Sequence, residues 1–429
     1  MRLIATIAVA ICAFVAHATH LAPWKPGVGD ESLVVVADGS RLIQRVSSFG
    51  TTSFAYDALD RLVARTADGI DDHLTWSATG ELLAASNAVA AETFSYDVCG
   101  RLASAVTGIG TNEYATAWLR DAGGLVTNIS YGAGFAVSRE YDADGRLVAV
   151  RDSFGHEWTF LWDGEGRPLG GLSPDGWAHA FSYDAAGQLS GWSVGEIAGR
   201  SIMRDAAGRR VRDTVTAGEM PVPQMTRRAQ NVFDGAGRIV SATVEYGTNA
   251  PVAEVYLHDA SGAMTNVTSG GETVFLAQYD ALGRLVSLGG PSSSAAAYDA
   301  LGNRVCAGGR IWIPDHDDSL KRPLLECDED GTPVRAYIWG AGQLLGWLDM
   351  VGRDDPIAPP SLTVAHCDEQ GSVIALTTAD GTLLHTAHYG PHGEDWGSSG
   401  ENPTPFAWLG GWGVMRQLTT YNSQLATHN

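Results

Sequence analysis

Basic residues are scarce in this chain: 28 Lys and Arg face 49 Asp and Glu, for a formal net charge of −21. A surface so acidic repels phosphate backbones and anionic headgroups, so nucleic acid and anionic membranes are poor partners. Proline is also modest, at 17 against 52 glycines. A glycine excess with neither a collagen period nor a low-complexity tract implies many tight turns. Long apolar runs are missing except for Leu3 to Val15, which follows Arg2 and is too short to span a bilayer. With Ala16-His17-Ala18 behind it, this run reads as an export signal over residues 1–18, the mature chain starting near Thr19. The expected product is therefore exported, secreted or held at the cell surface, and is not an integral membrane protein. Cys12, preceded by the bulky Ile11, is a poor lipid-attachment site. Outside Leu3 to Val15 no segment shows sustained helical periodicity, and no GxSxG, HExxH, P-loop or dinucleotide fingerprint occurs.

Cysteine is sparse too. Removal of the signal leaves Cys99, Cys306, Cys327 and Cys367. An even number in an exported chain permits disulfides, with Cys306–Cys327 the best candidate pair. None lies in a CxxC unit, so the spacing does not favour structural zinc.

What the chain has in abundance is one phrase: an aromatic or apolar residue, Asp, two small residues, Gly, then Arg-Leu or a relative. It reads FAYDALDRLV at Asp57, FSYDVCGRLA at Asp97 and Gly100, REYDADGRLV at Asp142 and Gly145, and FLWDGEGRPL at Asp163 and Gly166. It continues as FSYDAAGQLS at Asp184 and Gly187, IMRDAAGRRV at Asp205 and Gly208, and NVFDGAGRIV at Asp234 and Gly237. YLHDASGAMT at Asp259 and Gly262, AQYDALGRLV at Asp280 and Gly283, and AAYDALGNRV at Asp299 and Gly302 complete the strong copies. Weaker copies surround Trp76 and Asp121. From Asp121 the aspartates recur at Asp142, Asp163, Asp184 and Asp205, a step of 21 residues.

The phrase is a turn. Asp at the first corner can accept hydrogen bonds from backbone amides two and three residues on, and Gly can take the positive φ that completes a bulged hairpin loop. The flanks alternate apolar and polar, as strands with one buried face do. Each repeat is thus a β-hairpin, and the fold class expected is all-β: tandem hairpins forming a long spiralling or curled sheet, possibly an incomplete hollow shell. Two dozen strands at ~4.8 Å spacing make a strip about 100 Å long, which must coil, close or break into separate sheets. Six four-stranded blades of a β-propeller are the alternative arrangement.

These phrases resemble the YD repeats of the RHS family, which includes bacterial Rhs proteins, the BC component of Tc toxins and the teneurins. The resemblance runs from about Phe54 to Val305. A second block resembles the family's repeat-associated core: Ala336-Tyr337-Ile338-Trp339-Gly340, then Cys367-Asp368-Glu369-Gln370-Gly371-Ser372-Val373, Ala379-Asp380-Gly381, and His388-Tyr389-Gly390-Pro391-His392-Gly393-Glu394. The resemblance implies a β-sheet wrapped into a shell that in some members houses a C-terminal toxin. No DPxG cleavage motif follows Trp408-Leu409-Gly410-Gly411, so neither cleavage residues nor a toxin domain is carried over. The expected organisation is a signal at 1–18, a degenerate N-terminal segment at 19–53, a repeat array at 54–310, a linking segment at 311–335 and a core-like region at 336–429.

Other chemistry weighs less. The repeat aspartates could furnish paired carboxylates for a hydrolase, but regular turn placement commits them to backbone hydrogen bonds. Calcium-binding turns need closely spaced Gly-Asp motifs that are missing. Arg61, Arg101, Arg146, Arg238 and Arg284 are expected to pair with acidic neighbours on adjacent hairpins. His366, Cys367, His385, His388 and His392 form the conspicuous metal-ligand grouping, read here as packing or surface histidines. The stretch from Asp315 to Asp318 reads as a solvated loop. The expected function is a non-enzymatic exported scaffold, without metal or cofactor, enclosing a polypeptide or mediating intercellular contact. The alternative is an adhesin that stacks carbohydrate or cell-surface groups on the 13 tryptophans.

Overall fold

A computed structural model describes residues 34–415, apart from 39–40, 48, 133, 218–226, 247–249, 290–293, 351–358 and 390–394. The export signal at 1–18, Cys12 and His392 lie outside the described residues. Among the described residues the chain is all-β, broken only by a 3-10 turn at Gly410–Trp412.

The strands form two antiparallel sheets, of 18 and 16 strands. The first runs from Val34–Asp38 to Arg210–Ala217 and the second from Arg227–Phe233 to Asp395–Gly400. Partners are neighbours in sequence, as in Phe135–Tyr141 with Leu147–Asp152 and Ala178–Tyr183 with Leu189–Val194. Among the described residues the strip expected from the repeats is broken into two sheets, and the four-stranded blades of a propeller are not formed.

Each repeat hairpin is closed by the same loop. In the Asp142 copy, the Asp142 amide donates to the Arg146 carbonyl (2.9 Å) and the Gly145 amide donates to the Asp142 carbonyl (3.0 Å). Asp142 Oδ1 accepts the amides of Asp144 (3.0 Å) and Arg146 (2.9 Å), while Oδ2 takes Arg146 Nε–H at 2.7 Å. The carboxylate thus captures amides two and four residues on, not two and three; the third amide, from Gly145, is already spent on the main-chain carbonyl. Gly145 sits at φ +77°, where a Cβ would be strained. In the Asp57 copy Asp60 occupies that corner at φ +64°, as Asp tolerates better than most residues. The extra residue appears as a register shift beside the aromatic, between Glu140 and Tyr141 here and between Ser182 and Tyr183 in the Asp184 copy.

In most copies the aromatic before the Asp ties its hairpin to the preceding one, and in the Asp205 copy Arg204 does so through the Leu189 carbonyl. Tyr141 Oη donates to the Val126 carbonyl at 2.9 Å, the first strand residue after the previous turn. Tyr56 to Leu42, Trp76 to Leu62, Tyr96 to Leu82, Trp162 to Leu147 and Tyr183 to Pro168 repeat the bond at 2.7–3.0 Å. Arginines expected to pair across hairpins instead grip their own turn aspartate: Arg61, Arg101, Arg146, Arg238 and Arg284 each hold the carboxylate four residues back. Their reach to the next hairpin goes to its ring, as with Arg284 over Tyr298 at 4.6 Å, or to its carbonyls.

The same loop recurs where the sequence was less legible. Asp152 with Gly155, Ser173 with Gly176, Asp328 with Gly331, Asp368 with Gly371 and Thr378 with Gly381 all close hairpins with the same two backbone bonds. In the Asp152 loop His156 Nδ1 replaces Arg on Oδ2 at 2.7 Å.

Two compact units interleave along the chain. The described residues of one come from Met1–Tyr114 and Met225–Lys321, and those of the other from Ala115–Gln224 and Arg322–Gln417. In the first, Ala85, Ala105 and Ile109 of one sheet and Val244, Val267, Leu288 and Ile313 of the other are buried. In the second, the strands Pro323–Cys327, Pro333–Gly340, Gln343–Asp349, Ser361–Cys367 and Val373–Thr378 are buried almost throughout. A single apolar face was the expectation for every hairpin, and these strands depart from it because both faces are covered. One is met by first-sheet residues, with Tyr131 Oη bonded to the Tyr337 carbonyl. The tail from Asn402 to Gly413 covers more: Phe406 packs edge-on to Tyr337 and Trp339 at 5.0 and 5.5 Å, and the Val373 amide donates to the Ala407 carbonyl.

The aromatic tie predicts a measurable cost. Tyr141→Phe removes one part-buried hydrogen bond and is expected to lower stability by about 1 kcal/mol, read as a denaturation midpoint shift with unchanged slope.

Candidate functional site

The turn residues singled out in the sequence serve the hairpins, and their carboxylates are occupied by amides and arginines. The grouping that converges polar side chains on a cavity lies elsewhere, in the unit built from Ala115–Gln224 and Arg322–Gln417. It rests on the Ser173–Trp177 loop, which sets Asp175 below the strand Ala178–Tyr183 that carries His179.

Asp175 Oδ2 lies 3.0 Å from His366 Nε2 and accepts the Thr377 hydroxyl, while Oδ1 accepts Ser173 Oγ–H at 2.5 Å. The opposite ring nitrogen of His366, Nδ1, faces His179 Nε2 at 3.1 Å, with the two rings stacked at 5.2 Å. The side chains of Asp175 and His366 are fully shielded from solvent. Burial works against the Asp175 carboxylate, but the bonds from His366, Ser173 and Thr377 outweigh it and hold the group at about 2. Ionised Asp175 carries no proton, so His366 must donate through Nε2. Burial, then the neighbouring His366, pushes His179 down to about 3, so its ring is neutral at ordinary pH. A neutral imidazole held this way donates or accepts a hydrogen bond and is too weak a base for proton abstraction near neutrality.

His179 borders a cavity of about 340 Å³. Its walls include the aromatic side chains of Trp158, Trp162, Phe181, Tyr183 and Trp412, and its acidic corner is Asp368 with Glu369. Beside it pack Trp192, Val194, Ile197, Ala198, Ile374 and Ala375. Asp368 Oδ1 accepts the amides of Gln370 (2.9 Å) and Ser372 (2.8 Å), yet burial, reinforced by Glu369, pushes the group up to about 6. Glu369 is held by Arg200 at 2.5 Å.

The described members of the His366, Cys367, His385 and His388 grouping have separate surroundings. His366 is engaged by Asp175, and Cys367 on the next strand position donates weakly to the Leu344 carbonyl (3.8 Å), its thiol pushed up by burial. Burial, then Arg200, lowers His388. Among the described residues no three His, Cys, Asp or Glu side chains are placed to hold a metal ion. The Cys306–Cys327 disulfide is not formed; both residues are thiols. Trp118, Trp158, Trp192, Trp312, Trp339 and Trp347 are buried and offer no exposed stacking platform.

In the other unit the stretch expected to be a solvated loop turns inward. Asp315 and His316 are buried, His316 Nε2 bonding Thr107 Oγ1 at 3.0 Å with the Phe94 ring edge-on. Apolar neighbours on both sheets make this possible, and burial, then Lys321, lowers His316 to about 3. Nearby, Asp72 is bound by Arg65 (2.8 Å) and Asn87 (2.9 Å). Glu92, Asp299 and Asp72 are all buried, and burial with the two aspartates raises Glu92 to about 10. Sequence reasoning saw Asp299 as one more turn and had no signal for Glu92, 207 residues away by subtraction of their numbers.

The family model for the RHS Repeat matches residues 141–176, where the 21-residue step is strict. Over 147 residues the chain is 31% identical to the double-stranded DNA deaminase toxin A of Burkholderia cenocepacia (strain H111), a match covering 34% of this chain and 10% of that protein. Among solved structures, TcdB2-TccC3-TEV superposes with a TM-score of 0.64 at 13% identity, covering 92% of this chain and 25% of that one. A Photorhabdus luminescens Tc holotoxin pore with a substituted TccC3 superposes equally well, covering 91% and 25%. Residues 141–176 thus carry an RHS repeat. The chain spans about a quarter of the structures it matches, and at that identity they share its fold. No helix among its described residues is long and apolar enough to cross a membrane.

The buried histidines and Glu92 make opposite predictions about pH. His179 and His316 bind protons less readily when folded, so their contribution is present above about 6.5 and is lost as pH falls toward 3. Melting temperature is expected to drop over that range, and His179→Gln and His316→Gln each to remove part of the slope. Glu92 binds its proton more tightly when folded, so its contribution is complete below about 4.5 and declines as pH rises toward 10. Glu92→Gln is expected to raise the melting temperature at pH 8 relative to wild type, the gap closing toward pH 4.5.

Proposed function

We propose that this RHS-repeat protein is a non-enzymatic exported scaffold that encloses a polypeptide. The observation that carries the reading is the superposition of 92% of the chain on the Tc-toxin structures. The local design supports it: polar capacity in the turns is consumed internally, aspartate by amide and arginine, ring hydroxyl by neighbouring carbonyl. Side chains so committed build walls and are poorly suited to turning over substrate. The organisation that goes with this reading is a leader, a repeat array over 54–310, a link over 311–335 and a core-like region from 336 onward. Intercellular competition is the setting in which such an enclosed polypeptide would be delivered.

Protease protection tests the enclosure. An unstructured reporter peptide joined to the C-terminus is expected to be cleaved at least tenfold more slowly on the intact chain than when free. Cleavage at equal rates, with the chain itself still folded, would sink the enclosing role.

A further inference from the structure

The cavity bordered by His179 lies between strands of both sheets within one unit and has a composition of its own. At about 340 Å³ it falls within the range of small-ligand pockets, roughly 300–1,000 Å³. The aromatic walls are fixed in place: Trp162 Nε1 is tied to the Leu147 carbonyl, and Trp412 Nε1 to the Gln370 carbonyl. Rigid indole faces attract cations, and more strongly where water is excluded.

The acidic corner sets two carboxylates side by side. Asp368 and Glu369 are adjacent in sequence and both line the cavity. Arg200 contacts Glu369 Oε1 at 2.5 Å, and the partly exposed Arg210 reaches it only at 4.0 Å. Glu369 is 7% exposed and its second oxygen, Oε2, is buried without a hydrogen-bond partner. A buried carboxylate oxygen left in that condition costs on the order of 1–3 kcal/mol or more. His179 adds no positive charge, being neutral, so nothing on that wall repels a cation. A second unmet group belongs to the same lining: Trp158, 3% exposed, carries an indole N–H with no acceptor. The pocket therefore leaves one oxygen of Glu369 without a donor and the Trp158 indole without an acceptor.

We infer that this cavity binds an arginine or lysine side chain presented by a polypeptide. The guanidinium or ammonium meets Asp368 and Glu369, the aliphatic stem lies against the indoles, and a peptide carbonyl accepts from Trp158 Nε1. A bare metal ion satisfies only the carboxylates, and a neutral sugar brings no positive charge to them. That the polypeptide is one held by the scaffold rests on the enclosing role proposed above; the pocket's choice of cation does not.

Titration of the full chain with N-acetyl-L-arginine amide, followed by calorimetry, tests the inference. Saturable binding is expected, weakened at least tenfold by Asp368→Asn and by Glu369→Gln, with N-acetyl-L-leucine amide and methyl β-glucoside inert. Asp368→Asn keeps the loop's amide acceptor and leaves Arg200 untouched, so it separates loss of charge from loss of fold; a native melting curve for each variant completes that control. No binding of the arginine probe, equal binding of the leucine probe or the glucoside, or full binding by both folded variants would overturn the inference. Butylamine binding as tightly as the arginine probe would overturn the polypeptide carrier. Failure of the reporter-protection experiment alone would leave the cation site standing.

Discussion

The bond from each repeat's aromatic to the carbonyl that opens the previous hairpin is the interaction on which the rest depends. A hairpin loop closed by Asp and Gly is locally stable in shape but says nothing about where the next hairpin lies. Tyr141 to Val126, Trp162 to Leu147 and Tyr183 to Pro168 supply that information at a constant offset. Arginine adds a second link in the same place, gripping its own aspartate and covering the following ring, as Arg167 covers Tyr183 at 4.8 Å. Individually each contact is worth about 1 kcal/mol. Their regular recurrence lets each hairpin dock on its predecessor, so long sheets grow by nearest-neighbour contacts, as repeat arrays do.

Growth by addition explains the shallow burial along most repeat strands, where exposed and half-buried residues alternate, as in Ala178–Tyr183. The strands from Pro323 to Thr378 break that pattern. With both faces covered they must satisfy their polar groups internally, and they do so through Arg335 with Glu326 and Asp349, and Tyr337 with Glu326. The Asp175–His366–His179 chain belongs to the same class: polar groups brought inside and made to satisfy one another. Burying such groups is tolerable only when partners are supplied from both sheets.

The hairpin content, the all-β class and the loop chemistry were legible from residues because they depend on neighbours two to five positions apart. The loop at Ser173 escaped notice because a hydroxyl replaces the carboxylate while the backbone bonds stay the same. The candidate site was barely legible. His366 drew attention as part of a metal-like grouping with Cys367 and His385, yet its partners are Asp175 and His179, contributed by a distant hairpin. Likewise the run from Asp315 to Asp318 looked solvated because four polar residues in sequence usually are, and only Thr107 and Phe94 on the other sheet make His316 an interior residue.

By itself, then, the sequence determined the repeating hairpin, its Asp–Gly loop, its one-residue bulge and the aromatic preceding it, since each is a short-range consequence of hydrogen-bonding capacity and allowed φ. The tertiary structure alone decided that the strip becomes two sheets, that some strands are covered on both faces, and that Asp368, Glu369, His179 and Trp158 share one cavity. Those outcomes turn on which hairpins face each other across the sheets, and the identical repeat phrase carries no record of that pairing.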